Sequence, residues 1–470
     1  MNYKKYKKSY YPIPLEVRDW CNNEITHAPI WCSVDLRDGN QALYSPMTID
    51  EKIEFFSFLV KMGFKEIEVG FPAASETEYL FVRRLIEENR IPDDVSVQVL
   101  TQAREHIITK TVESLKGAKN AIVHLYNSTS TLQRRVVFKK DKDEIIKIAT
   151  DGAKLVKRLT KGFEGNLRFE YSPESFTCTE MDYAAEISND VLDIFEPSPE
   201  NKVIVNLPST IEVATANIYA DQIEYMHKHL KNRENIIISV HAHNDRGTGV
   251  ASSELALLAG ADRVEGTLFG NGERTGNTDI VTMALNMFSQ GIDPKLNIDN
   301  IDDVVEVYEK YNRLPIHPRH PYAGDMAYVA FSGSHQDAIK KSMDIYEQSN
   351  KTLWENPYLT IDPTDIGRKY EPILINSQSG KGGISYIMEN KFGYKIPKKM
   401  LVEFSAIIQE ISDKKQTVIS PEEIFDTFSS SYVNIAAPLK LAFYKTEAKD
   451  DSTIVSSTIE YDNSVSKITG

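Results

Sequence analysis

From residue 30 to about residue 290, short β-branched runs alternate with runs of amphipathic helical period, and nothing else in the chain limits its fold so tightly. The expected strands are Ile30–Asp35, Glu66–Phe71, Ser96–Thr101, Asn120–Tyr126, Asn166–Tyr171, Lys202–Asn206, Ile236–Val240 and Asp262–Glu265. Helical patterns between them include Thr48–Met62, Ser75–Asn89, Asp143–Leu159, Met181–Ile194, Val213–Leu230 and Gly249–Ala259, and a capping box at Thr48-Ile49-Asp50-Glu51 opens the first. Eight strands, each followed by a helix over about 260 residues, predict an α/β fold of the (β/α)8 barrel type. An open doubly wound sheet is the alternative, and it needs fewer strands or a second crevice.

A barrel of this kind places its chemistry just after the strands, at the carboxyl face. The expected strand ends are polar: Arg37-Asp38 after the first, His124 and Tyr126 closing the fourth, Ser172-Pro173-Glu174 after the fifth, and Asn206 to Thr210 after the sixth. The seventh ends on His241-Ala242-His243-Asn244-Asp245, where period-2 alternation throws both imidazoles to one side, so that two nitrogens can grip one ion. The eighth opens into a Gly-rich loop that ends at Asn277. Such polarity is costly to bury without a task, so these residues read as a metal-dependent active site rather than as packed core histidines.

At 470 residues the chain is too long for one core. The expected division is an N-terminal extension over 1–25, a barrel over 26–312, linker subdomains over 313–378 and 379–438, and a further segment of strands over 439–470. A Pro-broken connector at Pro315–Pro321 marks the end of the barrel pattern, and the Ser379–Gly383 turn lacks the leading Gly and the Ser/Thr of a phosphate loop. Net charge of −14 argues against nucleic-acid binding, and the basic MNYKKYKK start, with no apolar run after it, reads as a solvated arm rather than a signal peptide. No stretch approaches the ~18 apolar residues of a membrane span. Three cysteines without C-x-x-C spacing, with 41% hydrophobic and 26% charged residues, fit a soluble protein of the reducing cytoplasm.

Four segments resemble the 2-isopropylmalate synthases, within a broader group of metal-dependent acyl-CoA condensing barrels: Asp35–Gln41 (DLRDGNQ), His241–Gly247 (HAHNDRG), Gly270–Asn277 (GNGERTGN) and Asn376–Gly383 (NSQSGKGG). The first two are shared with citramalate and homocitrate synthases and related lyases. The last, with Ser332–Ile339 (SGSHQDAI), looks like the long leucine-pathway form. The resemblance implies an acyltransferase that condenses acetyl-CoA with 2-oxoisovalerate and works as a homodimer. It implies Asp38, His241 and His243 as ligands of one divalent cation, with Asn277 on or near a fourth position. A nitrogen and oxygen set without thiolate suits Mg²⁺, Mn²⁺, Co²⁺ or Zn²⁺.

The same resemblance places His124, Tyr126, Ser172, Glu174 and Thr210 around the keto acid, with Glu174 alternatively orienting a metal-bound water. Leu100, Asn206 and Pro208 are expected to face its alkyl tail, and Arg37 to stabilise a developing alkoxide or to serve as an ordinary ion-pair partner of Asp38. His335, supported by Tyr358, is the implied proton acceptor, and Gly270, Gly272 and Arg274 border acetyl-CoA. His317 and His320 read as loop or surface histidines. This family carries a C-terminal leucine-sensing domain, of which 439–470 resembles only the first strands, so insensitivity to leucine is expected. The rival readings are citramalate or homocitrate synthase, a lyase on the same barrel, and a catalytically silent subunit.

Overall fold

The computed structural model describes residues 2–349, 353–370, 381–415, 418–434, 438–449, 452–461 and 464–469. Eight parallel strands close in sequence order into a barrel: β1 (Ile30–Ser33), β2 (Glu66–Gly70), β3 (Ser96–Gln102), β4 (Asn120–Ser128), β5 (Asn166–Glu174), β6 (Val203–Ser209), β7 (Ile236–Ala242) and β8 (Arg263–Gly266). Closure comes from β1, which pairs with both β2 and β8. A helix follows each strand in turn: α1 (Ile49–Met62), α2 (Glu76–Glu87), α3 (Glu105–Ser114), α4 (Lys142–Leu159), α5 (Met181–Phe195), α6 (Ala216–His229), α7 (Gly249–Leu258) and α8 (Ile280–Phe288). The Thr48 capping box forms as expected at the start of α1. A further helix, α9 (Ile301–Asn312), stacks its Tyr311 ring on Phe55 of α1 at 5.7 Å.

Alternation along the strands sorts the two faces of the barrel. Ile67 and Val69, Val97 and Val99, and Val203 and Val205 are fully or almost fully buried, while the residues between them turn inward. The interior is largely polar, with one apolar layer of Ile122, Ile204 and Ile237. Arg263, completely buried, donates to Glu66 (2.6 Å), Glu265 (2.5 Å), Gln98 (2.7 Å) and Ser239 (2.8 Å). A guanidinium so well paired is tolerable in a core, where an unpaired one is not.

β4, β5 and β6 run further than their composition predicts. Register holds through Asn127↔Pro173 and Ser128↔Glu174, and through Pro208↔His241. Proline is usually kept to sheet edges because it lacks an N–H, which is why Ser172-Pro173-Glu174 reads as a loop in sequence. The N-terminal residues 2–9 are exposed, but the Tyr11 hydroxyl meets Thr131 (2.5 Å), and the chain is anchored again from Arg18. Arg18 and Trp20 donate to the buried Asp221 of α6 (2.8 and 2.9 Å), and the Asp19 backbone N–H donates to Glu224 (2.9 Å).

The barrel unit extends to Gly324, so the Pro-broken connector belongs to it. Asp325–Gly470 form a second compact unit. It contains α10 (Gly333–Gln348), α11 (Lys381–Asn390), α12 (Lys398–Lys415) and α13 (Pro421–Phe428), with a core of Ile384, Met388, Phe404, Ile408 and Ile424. Its last elements, β9 (Leu439–Lys449), β10 (Ser452–Tyr461) and β11 (Ser464–Thr469), make an antiparallel sheet in the order β11-β10-β9. The Ser379–Gly383 turn falls partly outside the described residues, and from Lys381 the chain is helical. Among the described residues no helix is long and apolar enough to cross a membrane.

Candidate active site

Asp38 sits on a wide helical turn, Asp35–Gly39, that leaves β1. The turn is tied down by Asp35, whose carboxylate accepts from Ser33 Oγ (2.8 Å) and from the Leu268 N–H beyond β8 (3.1 Å). His241 and His243 come off the end of β7 on the same side. Their Nε2 atoms lie 3.5 and 3.8 Å from Asp38 Oδ2, and the three ligand atoms are all within 4.8 Å of one another. His241 Nδ1 meets Glu265 Oε2 at 2.7 Å, and His243 Nδ1 meets the Gly276 carbonyl oxygen at 3.2 Å. An acceptor at each Nδ1 fixes a proton there and turns both Nε2 atoms toward Asp38.

The electrostatics fit a cation. Burial pushes the Asp38 carboxyl up, but Arg37 and the two imidazoles outweigh it, so the group lies well below the usual carboxylate range. Burial drives His241 down, yet Asp38 and Glu265 reverse this and raise it to about 9, while burial and His241 lower His243 to about 4. A site that pulls a proton onto an imidazole between two carboxylates lacks positive charge. Asn277 adds an oxygen: its Nδ2 donates to Asp38 Oδ2 (2.8 Å), and its buried Oδ1 has no hydrogen-bond partner among the described residues. Two imidazole nitrogens, a carboxylate and an amide oxygen suit a divalent ion with open positions.

Beside the triad opens a cavity of about 480 Å³. Of the residues expected from sequence, Arg37, Asp38, Leu100, His124, Tyr126, Ser172, Glu174, Asn206, Pro208, Thr210, His241, His243 and Arg274 all line it. Arg37 forks between Glu68 (2.5 Å) and Asp38 (2.9 Å). His124 bridges Glu68 (2.8 Å) and Ser172 Oγ (2.7 Å), and Asn206 Nδ2 donates to the same hydroxyl (2.9 Å). Glu174 accepts from Ser128, and Thr210 Oγ1 accepts from the Ser175 N–H (2.9 Å). Leu100, Phe71 and Pro208 supply apolar wall.

The Gly-rich loop folds back on itself, with Gly270 and Gly276 at φ +75 and +95. Arg274 binds Asp245 (2.7 Å) and the Thr210 carbonyl (2.6 Å), which joins this loop to those after β6 and β7. Gly270, Gly272 and Asn277 lie on that loop without lining the cavity. His335 and Tyr358 belong to the second unit, where their rings stack at 4.0 Å. His320 is half buried, 3.3 Å from Asp279, while His317 is exposed.

Sequence reasoning missed Gln41, Phe71 and Glu273 in the wall, and Glu68, Glu170 and Glu265 beneath it. The glutamates carried a signal, since each sits in inward register on its strand with apolar residues on either side.

Fold and site define a barrel enzyme with a buried triad at its carboxyl face that could hold a cation. An HMGL-like family model matches residues 28–307, and one described as alpha-isopropylmalate synthase, post-catalytic domain-like, matches 325–389. The 2-isopropylmalate synthase of Acetoanaerobium sticklandii is 59% identical over 468 residues, covering 98% of this chain and 82% of that one. That of Clostridium acetobutylicum is 58% identical, covering 95% and 80%, and that of Corynebacterium efficiens is 50% identical, covering 96% and 83%. The hydroxymethylglutaryl-CoA lyase structure from Pseudomonas aeruginosa is alike in fold alone, with a TM-score of 0.50 and 18% identity over 61% of this chain and 93% of that one. The chain belongs to the HMGL-like family and, within it, to the 2-isopropylmalate synthases.

Proposed function

We propose that the chain condenses acetyl-CoA with 2-oxoisovalerate and hydrolyses the thioester, giving 2-isopropylmalate and CoA at the entry to leucine synthesis. The observation that carries this reading is the Asp38–His241–His243 triad at the edge of a half-polar, half-apolar cavity, in a chain 59% identical to a synthase of that name. A divalent cation (Mg²⁺, Mn²⁺ or Zn²⁺) held by Asp38, His241 and His243, with Asn277 beside them, supplies Lewis-acid polarisation of the keto group.

The chain's own residues do the rest. Arg37 stabilises the negative charge that develops on the keto oxygen. His124, Tyr126, Ser172 and Thr210 surround the keto acid, with the Thr210 hydroxyl suited to its carboxylate. Glu174 orients a water. Leu100, Asn206 and Pro208 receive the isopropyl group, which favours it over the second carboxylate of 2-oxoglutarate, whose unpaired burial is costly. Over pyruvate the preference is worth about 1–3 kcal/mol per methylene. His335 takes the methyl proton of acetyl-CoA with support from Tyr358, and Gly270, Gly272 and Arg274 border the thioester substrate. The working form is a cytoplasmic homodimer.

The test is CoA-thiol release from acetyl-CoA with 2-oxoisovalerate, pyruvate or 2-oxoglutarate, with Mg²⁺ or Mn²⁺ and with EDTA as control. Release that needs the metal and is fastest with 2-oxoisovalerate supports the proposal, and a preference for either other acid overturns the substrate assignment.

A further inference from the structure

Inside the barrel beneath the cavity, Glu170 of β5 is fully buried, and no donor among the described residues bonds to either carboxyl oxygen. The groups facing it are His124 Nε2 of β4 at 3.3 Å, Arg263 Nη1 of β8 at 3.5 Å, the Glu265 carboxylate of β8 within 4.8 Å, and beyond them Glu68 of β2. Arg263 is already committed, since its short bonds go to Glu66, Glu265, Gln98 and Ser239. Across the core, the carboxylates of Asp38, Glu66, Glu68, Glu170 and Glu265 face the guanidinium groups of Arg37, Arg168 and Arg263, so carboxylates outnumber guanidinium groups five to three. An ionised carboxylate without a hydrogen bond is costly to bury, whereas a carboxylic acid has a proton to give to a neighbouring carboxylate. Burial and Glu265 together push the Glu170 carboxyl well above the usual range.

We propose that Glu170 is held as a neutral carboxylic acid that donates its proton to Glu265, forming a proton store under the cavity beside His124. The neighbouring hydrogen bonds agree. His124 Nδ1–H donates to Glu68, so Nε2 accepts from Ser172, whose oxygen accepts in turn from Asn206. Nε2, whose lone pair takes the Ser172 proton, has no hydrogen to offer Glu170 at 3.3 Å, so an ionised Glu170 gains no hydrogen bond there. Glu170 is therefore a positioning residue that acts through His124.

One consequence rests on the proposed condensation. The alkoxide formed at the keto carbon must gain a proton. Ser172 gives its hydroxyl proton to that oxygen, Glu170 passes its own proton to the vacated His124 Nε2, Nε2 hands a proton on to Ser172 Oγ, and solvent later restores Glu170.

The protonation is tested without substrate, by infrared difference between wild type and Glu170→Gln at neutral pH. We expect a carboxylic-acid carbonyl band in wild type that shifts in D₂O and is missing from E170Q, with the same number of divalent ions bound by both. Absence of the band overturns the proposal. So does an additional ion bound by wild type and lost in E170Q, which would make His124, Glu170 and Glu265 a second cation site. If E170Q does not fold, Glu170→Asp takes its place, and an acid carbonyl band unmoved from its wild-type position overturns the assignment to residue 170. In turnover with 2-oxoisovalerate, the alkaline limb of the kcat profile that reports loss of the Glu170 proton should vanish in E170Q, and an identical limb overturns the delivery step. A lack of turnover with every keto acid counts against the proposed function and leaves the infrared result standing.

Discussion

At the scale of single residues, the site depends on groups that hold two things at once. Arg37 spans Glu68 and Asp38 with a planar fork, a geometry that a lysine ammonium cannot reproduce. Arg37→Lys is expected to lower kcat on the order of 10²–10³-fold, the usual cost of one donor aimed at developing charge, with a smaller effect on KM. A kcat within tenfold of wild type would remove Arg37 from transition-state stabilisation. Gly276 has a comparable double duty. Its carbonyl accepts from His243 Nδ1, and a Cβ there would meet the Gly270 carbonyl oxygen at 1.8 Å with φ already at +95. Gly276→Ala should displace the loop, free the His243 tautomer and weaken divalent-metal affinity by about 10–100-fold. Calorimetric titration with Mn²⁺ checks this, and unchanged affinity would show that the loop carbonyl does not orient His243.

At the scale of elements, the barrel was legible because its outer face is written in β-branched residues. Ile67 and Val69, or Val203 and Val205, mark a strand whatever lies between them. The inner face hid more. Glu68, Glu170 and Glu265 follow the same alternation, but charged residues in a strand suggest solvent, and only a closed barrel turns that face into a core. The His241–His243 pair was legible from period 2. The barrel reading placed Asp38 at a strand end, but its role as a ligand was not legible, since it lies on a turn whose geometry no periodicity encodes, and family resemblance was needed to assign it. The docked part of the N-terminal extension was hidden too, because its anchors are contacts across about 200 positions of sequence, such as Trp20 to Asp221. Trp20→Phe keeps the ring and removes one donor from a buried carboxylate, so it should cost about 1 kcal/mol. The readout is the urea midpoint of the barrel transition. An unmoved midpoint would show that the extension rests on the barrel without stabilising it.

At the scale of the whole molecule, the proposed chemistry divides between two compact units. Every candidate metal ligand, the cavity and its hydrogen-bonded support lie in residues up to Gly324, whereas His335 and Tyr358 lie beyond it. The proposed cation site is built from the ends of β1 and β7 and the loop after β8, which closure of the barrel brings together. Proton removal from a thioester methyl group needs a base with a suitable pKa, and His335 is the histidine proposed for it. A fragment of residues 1–324 should therefore bind Mn²⁺ as tightly as the full chain, yet release no CoA thiol from acetyl-CoA with 2-oxoisovalerate. In the full chain, His335→Ala should keep metal affinity and lose turnover on the order of 10²–10⁴-fold, the range of a general base. The two measurements separate the units' roles. If the fragment turns over like the full chain, the base lies within the barrel and His335 has no part in the chemistry. If the fragment folds but binds metal poorly, the second unit supports the triad itself.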